Sequence, residues 1–293
     1  MTKKTTQKPL KPGDSFLIVA SSSPVDDEKS FLLGKEILES WGLKARFNKL
    51  INRKWRNLAG KDLVRHNELF SEENHPLIVF ARGGWGSARL LEYKHKWSDG
   101  FLLGYSDPCS ILLSRFASGF RGGIHGPLIT SLYKEPDWSK ERLKNILFGQ
   151  KVPDLKGESW KGGVAKGPLI ATNLTIASHL IGTSHFPNLN GCILILEDIN
   201  EEPYKIDRIL TQWRLAGLLN KVSGICFGNF QNPLNNKNKR ENDINEILIE
   251  RTKDLSIPII GNLPFGHCIG NASIPLGNLA KMDGDKGIIR IID

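Results

Sequence analysis

Short apolar runs recur along the first half of the chain, each followed by a stretch with helical spacing. FLIVA (16–20) reads as a buried strand that ends in the polar turn SSSP. The segment DDEKSFLLGKEILESW then puts Phe31, Leu32, Ile37, Leu38 and Trp41 near one helical face. LKARF predicts a second strand and KDLVRHNELF a second helix. LIVFA (77–81) is a third strand, followed by the glycine-rich turn RGGWG and the helical SARLLE; FLLGY (101–105) is a fourth, followed by the helix PCSILLSRFA. Strands and helices alternating in this way imply βαβ units and a mostly parallel sheet, whose ligands bind at the carboxyl ends of the strands. RGGWG and YSDP both fall at such ends.

The helix SKERLKNILFG closes a first domain expected over 1–150. QKVPDLKGESWKGG, polar and rich in Gly, Pro and Lys, predicts a linker over 151–165. A second domain over 166–293 follows. It offers KGPLIA, the helical TNLTIASHLIGT, the strand GCILILE (191–197), the helix PYKIDRILTQWRLAGLL, the strand VSGICFGNF, a helix near 243–255 and the strand IPIIGNLPF. IPLGNLAKMD, the turn GDKG and IIRIID predict a hairpin.

Composition narrows the function classes. The 293 residues suffice for two packed domains. No apolar run approaches the roughly 18 residues of a membrane span, and the basic N-terminus MTKKTTQKPLKPGD has no apolar h-region after it, so a cytoplasmic protein without a membrane partner is expected. None of the four cysteines sits in a C-x-x-C pair, and no H-E-x-x-H occurs, so no metal is expected. Cys192 and Cys226 lie in apolar runs and read as buried, inert thiols. The net charge of +9 suggests nucleic acid until its location is considered. Lys3, Lys4, Lys8 and Lys11 lie in the N-terminal tail, and Lys237, Lys239 and Arg240 in the Asn-rich NPLNNKNKRE; without these seven the net charge is +2. Solvated segments carry the excess, so a nucleic-acid partner is not expected.

Ser106 is the first candidate for chemistry. A serine nucleophile needs an exposed oxygen, nearby N–H donors for the oxyanion and a base within reach, and a turn between a buried strand and a helix N-terminus provides the first two. FLLGYSDPCSILL has that layout, without the second glycine of a G-x-S-x-G elbow. Asp107 before Pro108 offers a competing explanation, an N-cap with proline at N1. Arg82-Gly83-Gly84-Trp85-Gly86 lets backbone N–H groups approach a ligand, or is simply a tight turn. For an acid, Glu197 ends the apolar run CILILE at a sheet rim, with Asp198, Glu201 and Glu202 close behind. For a base, His267 lies in the glycine-rich loop PFGHCIGNASIPLG, and His125 in IHGPL is its rival. The other five histidines lie on helices or polar turns.

In this order, five segments resemble the LD-carboxypeptidase family of serine peptidases, which includes muramoyltetrapeptide carboxypeptidases and microcin C self-immunity peptidases. RGGWGSARLLE is similar to the family's R-G-G-[YW]-G-x-x-R-L-L segment, LLGYSDPCSILL to its G-Y-S-D turn, and IHGPL to its H-G-P. LILEDINEEPYKIDRILTQW resembles the segment of the triad acid, and GHCIGNASIPLG that of the histidine. The likeness spans nearly the whole chain. It departs at Leu169-Ile170-Ala171-Thr172-Asn173-Leu174, where the family often has a double glycine before Asn-Leu.

The resemblance implies an α/β protein with a flavodoxin-like N-terminal domain and a smaller C-terminal domain built on a β-barrel-like sheet. It makes Ser106 the nucleophile, His267 the general base and Glu197 the acid that orients it. It places the backbone N–H of Asp107 and one from Gly83 or Gly84, preferentially Gly84, in an oxyanion hole, and leaves His125 a structural or cleft-lining role. The site would then draw on both domains. The implied activity is release of the terminal D-alanine of a murein tetrapeptide during cell-wall recycling, with no cofactor, by a homodimer. Cleavage of aminoacyl- or peptidyl-nucleotide conjugates is the alternative within the family; a non-enzymatic flavodoxin-like binding protein is the alternative outside it.

Overall fold

Apolar runs flanked by glycine and polar turns form short strands that are buried along their length. In the computed structural model, which describes residues 7–231 and 244–292, these are β1 (Ser15–Val19), β3 (Leu77–Phe80), β4 (Phe101–Gly104) and β5 (Gly123–His125), with the more exposed β2 (Lys44–Arg46) at one edge. They lie in the order β2-β1-β3-β4-β5, every pair parallel, which is the flavodoxin-like arrangement. A two-residue strand from far along the chain, Ile274–Pro275 (β12), pairs antiparallel with β5. The helices α1 (Glu28–Ser40), α2 (Asp62–Leu69), α3 (Cys109–Ala117), α4 (Ile129–Leu132) and α5 (Asp137–Leu147) accompany this sheet. Phe16, Ile18, Phe31, Leu38, Val79 and Leu103 belong to its core. SARLLE is a single 3-10 stretch, Ala88–Glu92, held by an i→i+3 bond from the Leu90 N–H to the Ser87 carbonyl.

The chain divides into two units. The first comprises residues 1–152, 180–187 and 269–276; the second comprises 153–179, 188–268 and 277–293. The second contains β6 (Leu155–Lys156), β7 (Glu158–Lys161), β8 (Val164–Asn173), α6 (Leu174–Ser178), β9 (Ile193–Ile199), α7 (Pro203–Leu215), β10 (Gly224–Gln231), α8 (Ile244–Thr252), β11 (Ile259–Gly261), β13 (Leu279–Asp283) and β14 (Ile288–Ile291). Its eight strands run in the order β6-β14-β13-β8-β9-β10-β11-β7. The two edge strands, β6 and β7, are separated in sequence by Gly157 alone. Opposite ends of one sheet can be that close only if the sheet curls round, and it is accordingly barrel-like and nearly closed. Gly157 sits at the seam: its N–H donates to the Gly287 carbonyl at 2.8 Å, and a Cβ there would lie 2.4 Å from the Gly261 carbonyl oxygen.

Residues 151–165 were expected to link two domains, but they contain β6, β7 and the start of β8. Their polar composition is that of strands at a sheet edge, where one face meets water. The helix expected over TNLTIASHLIGT is only the five-residue α6. The hairpin of β13 and β14 is present, with Ala280 opposite Ile291. Lys3, Lys4, Lys237, Lys239 and Arg240 lie outside the described residues. Among the described residues no helix is long and apolar enough to cross a membrane.

Candidate active site

In the first unit, β4 is buried throughout and delivers the chain to a sharp turn at its carboxyl end. Ser106 occupies that turn with φ +65°, a left-handed conformation that non-glycine residues rarely adopt. Strain of this kind at a strand-to-helix junction is how a nucleophilic serine is pushed out of the strand direction. Gly83 lies directly against it: a Cβ there would sit 2.8 Å from Ser106 Oγ. Gly84 (φ +117°) could not carry a side chain either, because a Cβ would run into Ser23. The Gly83 carbonyl accepts a hydrogen bond from the Ser23 N–H at 3.3 Å. In a trans peptide the following N–H, that of Gly84, points the opposite way. Neither this N–H nor that of Asp107 donates a hydrogen bond among the described residues.

Asp107 does not cap the helix. Helix α3 begins at Cys109 without a side-chain cap, and the first-turn N–H groups of Cys109 and Ser110 bond to the carbonyls of Ser106 and Asp107. The Asp107 carboxylate turns back to the glycine turn. It accepts from the N–H groups of Gly86 (3.2 Å) and Ser87 (2.8 Å) and from the Ser22 hydroxyl (2.6 Å). Ser21, Ser22 and Ser87 share hydroxyl hydrogen bonds of 2.7–2.8 Å around Ser87. Beneath them the buried Arg65 donates to the carbonyls of Ser21, Gly60 and Gly86. Burial lowers the Arg65 pKa, opposed by its hydrogen bond to Asp62 and by the charges of Asp62 and Asp107.

The second unit assembles the acid and the imidazole. Strand β9 is buried as far as Asp198 and carries Glu197 fully out of solvent. Opposite Glu197 the pairing with β10 slips, so that Gly228 and Asn229 face a single residue. This bulge frees the Asn229 N–H to donate to the Phe265 carbonyl at 2.8 Å, and only a glycine at 228 allows Phe265 so close. The docked loop then turns at Gly266 (φ +101°), where a Cβ would fall 2.5–2.6 Å from Glu197 side-chain atoms. The result is a hydrogen bond of 2.7 Å between His267 Nδ1 and Glu197 Oε2, with the His267 N–H on the same oxygen at 3.2 Å. A carboxylate only accepts, so Nδ1 carries the hydrogen and Nε2 is the basic nitrogen of the neutral ring. Burial pulls the His267 pKa down, but the hydrogen bond and charge of Glu197, with the charge of Asp198, outweigh it and leave the pKa raised.

Asn173 was not singled out from sequence, and Asp198 was read only as an acid following Glu197. Asn173, the β8 partner of Glu197, donates its amide to Glu197 Oε1 and to Asp198 Oδ1, both at 3.1 Å, while its oxygen caps α6. Asp198 also accepts from the N–H and hydroxyl of Thr175; desolvation foremost, with Glu197 beside it, pushes its pKa up to about 6. The slipped register and the shared amide are tertiary features, and the only sequence hint was the adjacency of two acids after an apolar strand. His125, the rival base, is a fully buried β5 residue packed on Tyr105, with ring centroids 5.6 Å apart. Cys192 and Cys226 are buried, and burial raises the thiol of Cys192 to about 11. The structure thus joins Glu197 to His267 in one unit and gathers Ser106, Gly83 and Asp107 in the other.

The family model of the LD-carboxypeptidase N-terminal domain matches residues 17–126, and that of the C-terminal domain matches residues 166–282. A Synechocystis sp. protein named as a carboxypeptidase is 39% identical over 97% of this chain and 96% of its own length. The chain belongs to the LD-carboxypeptidase family. The murein tetrapeptide carboxypeptidase of Pseudomonas aeruginosa is 28% identical over 85% of this chain and 87% of its own. Among solved structures, the microcin C7 self-immunity protein in complex with aspartyl sulfamoyl adenosine superposes with a TM-score of 0.86 at 22% identity, covering 98% of both chains. The muramoyltetrapeptide carboxypeptidase of Oxalobacter formigenes gives 0.81 at 23% identity, covering 95% of this chain and 99% of its own. These two likenesses establish the fold, and the family establishes a peptidase.

Proposed function

We propose that this LD-carboxypeptidase family member is a serine peptidase that removes the terminal D-alanine from murein tetrapeptides by cleaving an L,D amide bond. The observation that carries the serine chemistry is the left-handed backbone of Ser106 at the end of β4, against the glycine turn. His267, held by Glu197, takes the Ser106 proton as Oγ attacks the carbonyl. The N–H groups of Gly84 and Asp107 hold the oxyanion. His267 then protonates the departing D-alanine, and water releases the acyl-enzyme with the same residue as base. Glu197 stays ionised throughout, fixing the ring tautomer and stabilising the imidazolium. None of these steps calls for a cofactor. The names of the Pseudomonas relative and the Oxalobacter structure support the choice of substrate.

The second reading, cleavage of an aminoacyl-nucleotide conjugate, is favoured by the structural neighbour bound to aspartyl sulfamoyl adenosine. Mass spectrometry of products from a mixture of murein tri-, tetra- and pentapeptides, with aspartyl sulfamoyl adenosine offered in parallel, separates the two. D-Alanine from tetrapeptide alone is the expected result; turnover of the conjugate alone would overturn the choice of substrate. Ser106→Ala is expected to abolish release while the protein remains folded, and retained turnover would overturn the mechanism.

A further inference from the structure

The proposed chemistry uses the backbone N–H of Asp107 and leaves its carboxylate without a task. That carboxylate is buried, which is costly for a charge unless several donors converge on it. Three do, and they come from different parts of the first sheet. The Ser22 hydroxyl follows β1, the Gly86 and Ser87 N–H groups end the turn after β3, and Asp107 itself follows β4. One side chain therefore ties together the carboxyl-end turns of three neighbouring strands, immediately beside the strained serine. The donors also explain why the residue is an acid. Both oxygens accept at once, Oδ1 from Gly86 and Oδ2 from Ser87 and Ser22. An asparagine would have to turn an NH2 group toward a donor.

We infer that the Asp107 carboxylate is a positioning residue that locks the glycine turn onto the nucleophile turn and so fixes where the oxyanion donors point. The inference rests on the reading of Ser106 as nucleophile. Its reach follows from chain geometry: Gly84 lies two residues before Gly86, and the Gly83 carbonyl is already held by the Ser23 N–H. A turn pinned at both ends presents the Gly84 N–H in one direction only. With the Gly86 and Ser87 end released, that N–H is free to swing, and the oxyanion loses a pre-aimed donor when charge develops on it.

The test uses the full-length protein, a fluorophosphonate probe and tetrapeptide turnover, with rates expressed per folded molecule from circular dichroism. Asp107→Asn keeps the backbone N–H but breaks the clamp. It is expected to slow both Ser106 phosphonylation and kcat by about 10- to 100-fold while KM changes by less than about threefold. Ser22→Ala removes one of the three donors and is expected to slow both rates by about threefold, with the fold intact. A folded Asp107→Asn protein that labels at the wild-type rate would overturn the inference. Should Asp107→Asn fail to fold, Ser22→Ala decides: unchanged labelling and kcat overturn the clamp, and parallel losses at constant KM support it. Wild-type protein that neither labels nor turns over overturns the serine mechanism, and the clamp with it.

Discussion

The two units hold the groups proposed to react by different physical means. Around Ser106 the first unit spends backbone conformation: a serine at φ +65°, glycines at +117° and +107°, and N–H groups aimed by turns. Around His267 the second unit spends desolvation. Glu197 and Asp198 are buried side by side at 0% and 3% exposure, stabilised by one asparagine amide, a threonine and an imidazole. Strain is local and is set by a few residues in a turn, whereas a buried charge needs partners from several strands. Around Ser106 the first half should therefore respond mostly to changes in the turns that follow β1, β3 and β4, while the second should respond to changes throughout its hydrogen-bond network.

The largest effect expected outside Ser106 is that of Glu197→Ala, which leaves His267 without its orienting acceptor and should lower kcat by about 10³- to 10⁴-fold. Steady-state turnover of tetrapeptide measures it; a loss below about tenfold would mean that the imidazole is held by the loop alone. Gly266→Ala comes next. It places a methyl group on the Glu197 side chain at a backbone angle L-residues avoid, and should cost roughly 2–4 kcal/mol in urea unfolding together with about 10²-fold in kcat. If activity falls without loss of stability, the loop has moved rather than strained.

The pH dependence sharpens the contrast further. As the proposed base, His267 must be neutral, and its pKa is raised above 6.5, so kcat/KM should rise with pH through a midpoint above that value. Glu197→Gln removes the charge that raises it and leaves the burial that lowers it, so the midpoint of the residual activity should move down. The same group contributes stability that is fully present below its unfolded pKa of about 6.5 and is lost as pH rises through the folded value. Thermal unfolding followed across that range should show this loss in the wild type and less of it in Glu197→Gln. The smallest effect should come from Asp27→Ala, which removes the α1 cap accepting from the Ser30 N–H and belongs to neither network. A Tm lower by roughly 2–4 °C with kcat unchanged would set the baseline against which the others are judged.

What could be read in advance divides along the same line. The first sheet was legible because its strands are continuous apolar runs and its helices follow with regular spacing, so FLIVA, LIVFA and FLLGY all fall on observed strands. The turn at Ser106 was legible as a turn, but its left-handed backbone was not, since serine carries no such preference. Asp107 before Pro108 has the local form of a cap, and only the tertiary placement of Ser22, Gly86 and Ser87 draws its carboxylate elsewhere. In the second sheet, LKGESWKGG looks like a linker because edge strands keep polar residues, and pairings such as Ile288 with Lys156 leave no periodic trace. The role of Asn173 depends on register between β8 and β9, which no local pattern specifies.

The seam at Gly157 has a consequence for how the protein is made. β6 pairs with β14, more than a hundred residues further on, and β5 receives its neighbour β12 from residues 274–275. A chain emerging from the ribosome would therefore carry Ser106, Glu197 and His267 before either sheet had all its strands. Neither sheet can be completed until the segments beyond His267 have been synthesised, so the last strands to be made are the ones that close both units.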